Sequence, residues 1–424
     1  MQLLSWIIPF LTFIVLTQTG SVIKDEKVRY DNHVVYKIKF SNVLQRQLLL
    51  QLAKRHQSYN VWNESPSELH LMVSPKAISE FEKTLNRANA TAEIFIPNVQ
   101  VLIDNEHMEN SRATSTFGWK RYNNLAEIEA WLDEILEKYS DVTEGFVVGT
   151  SYEGRTIRGI KISYKEGNPG VFIESNIHAR EWITSATATW LINELLSSED
   201  ELIRELAENH DWYFVPVLNV DGFVYTHEKD RMWRKTRQPV SHSTCIGADA
   251  NRNFDVHWME NGGASDDPCQ FDYAGTHPFS EPEVKGLAEY LGTVKDKVNV
   301  LLAFHSYSQV LLSPYGHTDE EVPDNFNDLL HVAKAYADAV EALPYGTNYL
   351  YGSTAKLLYM SSGATNDYAY QQGIEIAYTV EMRDRGTFAF VLPPAFIIPN
   401  AEETLIGIIA LLAECKKLGY LALK

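Results

Sequence analysis

Apolar and polar positions along the chain fall into two regimes. In the first, residues 28–40 alternate and are rich in β-branched side chains, which predicts a strand. Residues 43–55 repeat apolar positions at helical period. Residues 59–62 and 69–73 read as short strands around a turn, 78–85 as a helix and 91–96 as a strand. The order β-α-β-β-α-β is that of a small ferredoxin-like α+β sandwich. Residues 105–116 are polar, and Arg112-Ala113 lies among them. They predict an exposed linker, open to a trypsin-like protease. A second regime opens with a helix at 125–136. Strands are predicted at 145–148, 156–162, 170–173, 212–217, 298–304 and 374–381, and helices at 183–196, 281–294, 326–343 and 401–417. Strands alternating with helices imply a three-layer, doubly wound α/β domain with a largely parallel sheet covered on both faces.

Length and composition sharpen this division. At 424 residues the chain exceeds one ordinary domain, and its 45% hydrophobic content suffices for large cores. Residues 3–15 form an apolar run containing Pro9, with small and polar residues after it. The run is too short to span a bilayer and reads as a secretory signal, giving a signal at 1–21, a first domain at 22–112 and a second at 113–424. No second stretch is expected to cross a membrane. The three cysteines are Cys245, Cys269 and Cys415. In a secreted chain Cys245–Cys269 is the expected disulfide, closing a Gly-, Asp- and Asn-rich loop, with Cys415 a free buried thiol in the last helix. Sequons at Asn63 and Asn89 suit the same compartment. The net charge is −19, and the excess lies after residue 113. That argues against nucleic acid or an anionic membrane as a partner. Nothing demands more than a monomer.

The chemistry centres on Asn176-Ile177-His178-Ala179-Arg180-Glu181-Trp182, between a buried strand and a helix. Ligands in open α/β sheets collect at the carboxyl ends of strands. His178 and Glu181, three residues apart, can reach one zinc ion, although either could instead cap the helix or pair with Arg180. A catalytic zinc site needs three protein ligands and an open position. His305, directly after the strand at 298–304, is the best third ligand; alone it would read as a core imidazole. Glu381 ends another apolar strand, where a carboxylate is either paired, with Arg383 or Arg385, or functional as a general base. Arg231, Arg234, Lys235 and Arg237 form a basic cluster in an acidic domain, followed by Asn251-Arg252-Asn253. The cluster is either a solvated loop or a site for an anionic group.

These blocks, with His305-Ser306-Tyr307-Ser308-Gln309, Asp249-Ala250-Asn251-Arg252-Asn253 and Glu381-Met382-Arg383-Asp384, resemble the zinc metallocarboxypeptidases of the A/B type over nearly the whole chain after the signal. The resemblance implies the zinc carboxypeptidase fold, with a mixed sheet, behind an activation segment removed after Arg112. It implies one Zn2+ held by His178, Glu181 and His305, the two-His, one-Glu set known from carboxypeptidase A. It assigns Arg234 to the scissile carbonyl and developing oxyanion, and Asn251 and Arg252 to the substrate's C-terminal carboxylate, with Arg180 outside them. Tyr359 closes over the bound peptide end. Glu381 is the general base toward the zinc-bound water and returns the proton to the leaving amine. The Cys245–Cys269 pairing matches the family's disulfide. Peptides with a free C-terminus, an activating trypsin-like protease and proteinaceous carboxypeptidase inhibitors are the implied partners, and a digestive lumen the implied setting.

The residue matching the base of the family's side-chain pocket is Asn366, neither the acidic residue of basic-specific members nor the apolar residue of the others. Asp367 falls one position past it. Gly316, Thr354, Ala364 and Thr379 are the other expected lining residues. A neutral pocket does not offset the desolvation of a buried cation, so release of uncharged C-terminal residues is expected. Release of basic residues, and a catalytically silent binder of peptide C-termini, are the competing readings.

Overall fold

A computed structural model describes residues 26–112 and 116–422; the signal at 1–21 and the bond after Arg112 lie outside the described residues or at their edge. The first unit runs β1 (Val34–Lys39), α1 (Val43–Ala53), β2 (Tyr59–Glu64), β3 (Glu68–Val73), α2 (Ile78–Ala88) and β4 (Thr91–Ile96). Its sheet is antiparallel in the order β2-β3-β1-β4, as a split βαβ sandwich requires. Asn42 caps α1 by accepting the Gln45 N–H at 3.0 Å. Ile38, Leu49, Leu69, Leu71 and Phe81 are fully buried between the sheet and the two helices. The strand expected over 28–40 is shorter, because residues 28–33 run across the second domain: the Val28 N–H donates to Lys229 O at 2.8 Å.

The predicted linker is a correction. Residues 105–112 belong to a helix, α3 (Val99–Arg112). Its buried residues, Val99, Gln100, Ile103 and Glu106, recur at helical spacing and dock it on the second domain. Two of the four are polar, which hides the stripe from a hydrophobicity reading.

The second unit follows as α4 (Leu125–Lys138), β5 (Thr143–Thr150), β6 (Thr156–Ile162), β7 (Gly170–Ser175), α5 (Trp182–Ser197), α6 (Glu201–Glu208), β8 (Asp211–Val215), α7 (Val220–Glu228), α8 (Pro282–Val294), β9 (Val298–Ser306), β10 (Val310–Ser313), α9 (Phe326–Glu341), β11 (Leu350–Ser353), α10 (Thr354–Leu357), α11 (Thr365–Gln371), β12 (Ile376–Met382) and α12 (Ile397–Leu418). The eight-stranded sheet has the order β11-β10-β12-β9-β7-β8-β6-β5. β7, β8, β9 and β12 form its parallel centre, and β5, β6 and β10 supply antiparallel pairs, so the sheet is mixed. Every residue of β7 and β9 is buried, as helices on both faces demand. The short strands β10 and β11 and the helices α6 and α7 were not anticipated. α12 is also a correction: by length and apolarity alone it could cross a membrane, contrary to expectation. It is instead a core helix whose Leu405, Ile408, Leu411 and Leu412 are buried, with neighbours α5 and α9. Cys415 is a buried free thiol on it, as expected.

Candidate active site

The site sits at the carboxyl ends of β7, β9 and β12. Past β7 the chain turns at Asn176, whose φ of 53° is left-handed, a conformation Asn tolerates. The Asn176 N–H donates to Thr184 Oγ1 at 3.0 Å and its amide donates to Glu181 O at 3.1 Å, which fixes the turn carrying His178 and Glu181. His305 is the penultimate residue of β9, inside the strand rather than beyond it, and faces Glu381 across the β9–β12 pairing.

Three candidate ligand residues converge here. His178 Nδ1 lies 2.9 Å from Glu181 Oε1 and 3.1 Å from His305 Nδ1, and His305 Nδ1 lies 3.3 Å from Glu181 Oε2. Ligands about 2.0–2.2 Å from a tetrahedral zinc stand about this far apart. Two imidazole nitrogens and a carboxylate meet at one point, with all three residues buried. The set therefore fits zinc. Behind it, Asp249 Oδ1 is 3.0 Å from His178 Nε2, and its Oδ2 accepts from Arg234 Nη2 at 2.7 Å. Burial works to raise the Asp249 pKa, but Arg234, His178 and Arg252 outweigh it and hold the carboxyl well below the usual range. Asp249 received no role in the sequence reading. Its signal was an Asp two residues before the Asn251-Arg252 pair.

The same cleft brings together Arg234, Asn251, Arg252, Tyr359, Asn366 and Glu381. Asp249 also accepts the Asn251 N–H at 2.9 Å, so one carboxylate orients a metal ligand, Arg234 and the next turn. Asn251 Oδ1 accepts both the N–H and the hydroxyl of Thr365, at 2.8 and 3.0 Å. Arg252 Nη2 is 3.1 Å from the Tyr359 hydroxyl. Glu381 makes no ion pair with Arg383 or Arg385. Arg383 pairs with Glu403, and Arg385 donates to Asn348. Burial, and then the charge of Glu181, push the Glu381 carboxyl well above the ordinary range.

Arg180 is not brought to this group. Its Nη1 donates to Asn60 Oδ1 of the first domain at 3.1 Å, and its guanidinium lies 3.8 Å over the Phe390 ring. Burial, and then Arg234, lower its pKa to about 9. The basic cluster also divides. Only Arg234 turns into the cleft. Arg231 pairs with Glu106 at 2.7 Å, Lys235 donates to Pro268 O at 2.7 Å, and Arg237 stacks 3.6 Å over Tyr225. Trp62, Asn63 and Glu64 of β2 line the cleft mouth, and the Asn63 amide donates to Ser308 Oγ. The first domain therefore covers the site.

Thr354, Ala364 and Thr379 line the cleft; Gly316, expected among them, does not and packs instead against Ser361 and Thr354. Asp367 is turned away, accepting the Gly316 N–H at 2.8 Å with His317 Nδ1 at 3.4 Å. Asn366 is buried, its amide 3.5 Å from Thr354 Oγ1 and its Oδ1 unpartnered among the described residues. Cys245 and Cys269 are joined, as expected.

Comparison with known proteins agrees with this geometry. Residues 128–407 match the zinc carboxypeptidase family, and residues 36–106 match the carboxypeptidase activation peptide. A zinc carboxypeptidase of Simulium vittatum is 51% identical over 302 residues, 71% of this chain and 98% of that protein. Zinc carboxypeptidase A 1 of Anopheles gambiae is 40% identical over 415 residues, 96% of this chain and 95% of the relative. The crystal structure of carboxypeptidase A from Helicoverpa armigera superposes with a TM-score of 0.85 at 26% identity, covering 93% of this chain and all of that one. The chain thus belongs to the zinc carboxypeptidase family, as a metallocarboxypeptidase carrying its own activation peptide.

Proposed function

We propose that this zymogen matures into an A-like exopeptidase that removes uncharged C-terminal residues from peptides. Asn251 and Arg252 bind the terminal carboxylate, and Tyr359 closes over it. An internal peptide segment has no such charge and would leave the buried Arg252 uncompensated, so cleavage is confined to chain ends. Arg234, held by Asp249, faces the oxygen of the scissile carbonyl as negative charge develops there; loss of such a donor typically costs about 10²–10³ in rate. Zinc bound by His178, Glu181 and His305 supplies a Lewis acid and brings the pKa of a bound water near neutral. Glu381 takes the water's proton and hands it to the leaving amine. Arg180, freed from Asn60 when the first domain leaves, contacts the substrate farther from its end.

The observation that carries the specificity is the orientation of Asp367. Its carboxylate serves the Gly316 N–H and His317, so the pocket base is the neutral Asn366. Its unpartnered Oδ1 favours a terminal residue that can donate, such as Asn or Gln, alongside apolar ones.

The proposed division is a signal at 1–21, an activation segment at 22–112 and an enzyme at 113–424, secreted to a digestive lumen and cut after Arg112 by a trypsin-like protease. The helix end at the exposed Arg112 and the disulfide support this reading. Proteinaceous carboxypeptidase inhibitors are expected to enter the same cleft. The test is residue release by the trypsin-treated protein from matched peptides ending in Phe, Leu, Asn, Gln, Arg, Lys or Glu, with and without a zinc chelator. Chelator-sensitive release of the uncharged residues is expected. Dominant release of Arg or Lys overturns the specificity, and no release despite a clean cut and bound zinc overturns the exopeptidase reading in favour of a binder.

A further inference from the structure

Asp367, the third residue of α11, is 1% exposed and takes no part in the chemistry proposed above. Its carboxylate is engaged nonetheless. The Gly316 N–H donates to both oxygens, at 2.8 and 3.1 Å, and His317 Nδ1 stands 3.4 Å from Oδ2. Hydrogen bonds from a backbone N–H to an ionised carboxylate are among the stronger ones in proteins. This one ties Gly316, three residues past the end of β10, to the first turn of α11. An apolar side chain at 367 would leave the N–H of the buried Gly316 without that partner.

Gly316 passes the constraint on. Its carbonyl accepts the Ser361 N–H at 2.8 Å, and Ser361 lines the cleft two residues after Tyr359. So close an approach requires glycine: a Cβ at 316 would stand 2.5 Å from Ser361 Oγ and 2.7 Å from Ser361 O. On the other side of Tyr359, the Leu358 N–H closes α10 by donating to Thr354 O at 2.9 Å. Among the described residues the backbones of Tyr359 and Met360 make no hydrogen bond. Tyr359 and Met360 thus form an unbonded span between two anchors, and the span carries the Tyr359 hydroxyl, 3.1 Å from Arg252 Nη2.

We propose that Asp367 is a positioning residue for Tyr359. Its carboxylate fixes Gly316, the Gly316 carbonyl fixes Ser361, and the Ser361 anchor holds the unbonded span where the Tyr359 hydroxyl meets the substrate's terminal carboxylate beside Arg252. The inference rests on the proposed role of Tyr359.

The test compares Asp367→Ala, Asp367→Asn, Gly316→Ala, Tyr359→Phe and the Asp367→Ala/Tyr359→Phe pair in the zinc-loaded, trypsin-matured enzyme, with zinc content and circular dichroism confirming the fold. Peptide hydrolysis gives KM and kcat. A small aromatic carboxylate, 3-phenylpropanoate, is also titrated by calorimetry, so that the grip on a terminal carboxylate is read without turnover. Tyr359→Phe is expected to weaken 3-phenylpropanoate about tenfold, the worth of a hydrogen bond to a charged group. Asp367→Ala and Gly316→Ala weaken it about three- to tenfold and raise KM more than they lower kcat. Asp367→Asn restores most of the affinity, because its carbonyl oxygen accepts the Gly316 N–H. The pair binds no more weakly than Tyr359→Phe, because the hydroxyl that Asp367 positions is already gone. Unchanged carboxylate affinity in Asp367→Ala overturns the proposal, and so does an effect of Asp367→Ala that persists in full beside Tyr359→Phe. Gly316→Ala decides it if Asp367→Ala does not fold. Wild-type affinity in Tyr359→Phe overturns the role of Tyr359 itself. Loss in Tyr359→Phe alone leaves that role standing and sinks only that of Asp367.

Discussion

Asp249 joins the metal ligands to the cationic side of the cleft, because its two oxygens serve His178 and Arg234 separately. Groups that orient and polarise a metal-bound imidazole commonly contribute 10–100-fold to metal affinity. Asp249→Asn is accordingly expected to weaken zinc about 10–100-fold, read by competition with a chromogenic chelator, and to loosen Arg234 at the same time. A second residue tests burial at a distance from the metal. Glu283 is 0% exposed, accepts the Tyr152 N–H at 3.2 Å and leaves Oε2 unpartnered among the described residues. Burial above all moves its pKa from 4.5 up to about 7. Below 4.5 the carboxyl is protonated whether the chain is folded or not, so there is no difference. Between 4.5 and about 7 the unfolded chain ionises while the folded chain keeps its proton, and stability falls as pH rises. The accumulated loss is about 3 kcal/mol and is complete above the folded value. Glu283→Gln keeps an acceptor for Tyr152 and removes the loss. Its urea midpoint should exceed wild type at pH 8 and match it at pH 4; equal midpoints at both would contradict the shift.

At the scale of an element, α3 joins the two domains. Arg231 donates from Nε and Nη2 to Glu106, donates to Arg180 O and Phe390 O, and lies 3.7 Å over the Trp182 ring. Removing one partner of such a buried pair leaves an uncompensated charge and costs about 3–5 kcal/mol. Glu106→Ala should therefore weaken docking of the first domain and let the uncut zymogen cleave peptides that wild type leaves intact. An uncut variant as silent as wild type would show that the contacts of β2 suffice. This helix was illegible in the sequence for a physical reason: the face it buries holds Gln100 and Glu106 as well as Val99 and Ile103, and its partner Arg231 is 125 residues away. The turn after β7 is the opposite case. An apolar run at 170–173, an Asn able to take positive φ and a long apolar helix all lie within one local window, and so His178 and Glu181 could be placed.

For the whole molecule, the expected consequence is a two-step activation. The proposed cut after Arg112 would fall at the end of α3, while the grip of that helix on the second domain lies at Glu106, inside it. Trp62, Asn63 and Glu64 remain over the cleft as long as that grip holds. Activity is expected to lag the cut, with gel bands showing cleavage before peptide hydrolysis begins, and Glu106→Ala should shorten the lag. Simultaneous cleavage and activity in wild type would mean that the peptide bond itself maintains the closed state.

The sequence alone determined what depends on neighbours along the chain: the two-domain division, the order of most strands and helices, the His178–Glu181 pair, and the blocks that carry the family resemblance. Periodicity and turn chemistry are local, and a buried strand followed by a helix writes both into a dozen residues. Tertiary structure decided whatever depends on partners brought from afar. Asp249 behind His178, Arg180 held by Asn60, Arg231 paired with Glu106 and Asp367 turned from the pocket are contacts between segments distant in the chain. A charged residue has the same letter whether it is solvated, paired or aimed at substrate. Only the packing of one element against another, which fixes its burial and its partner, separates those fates.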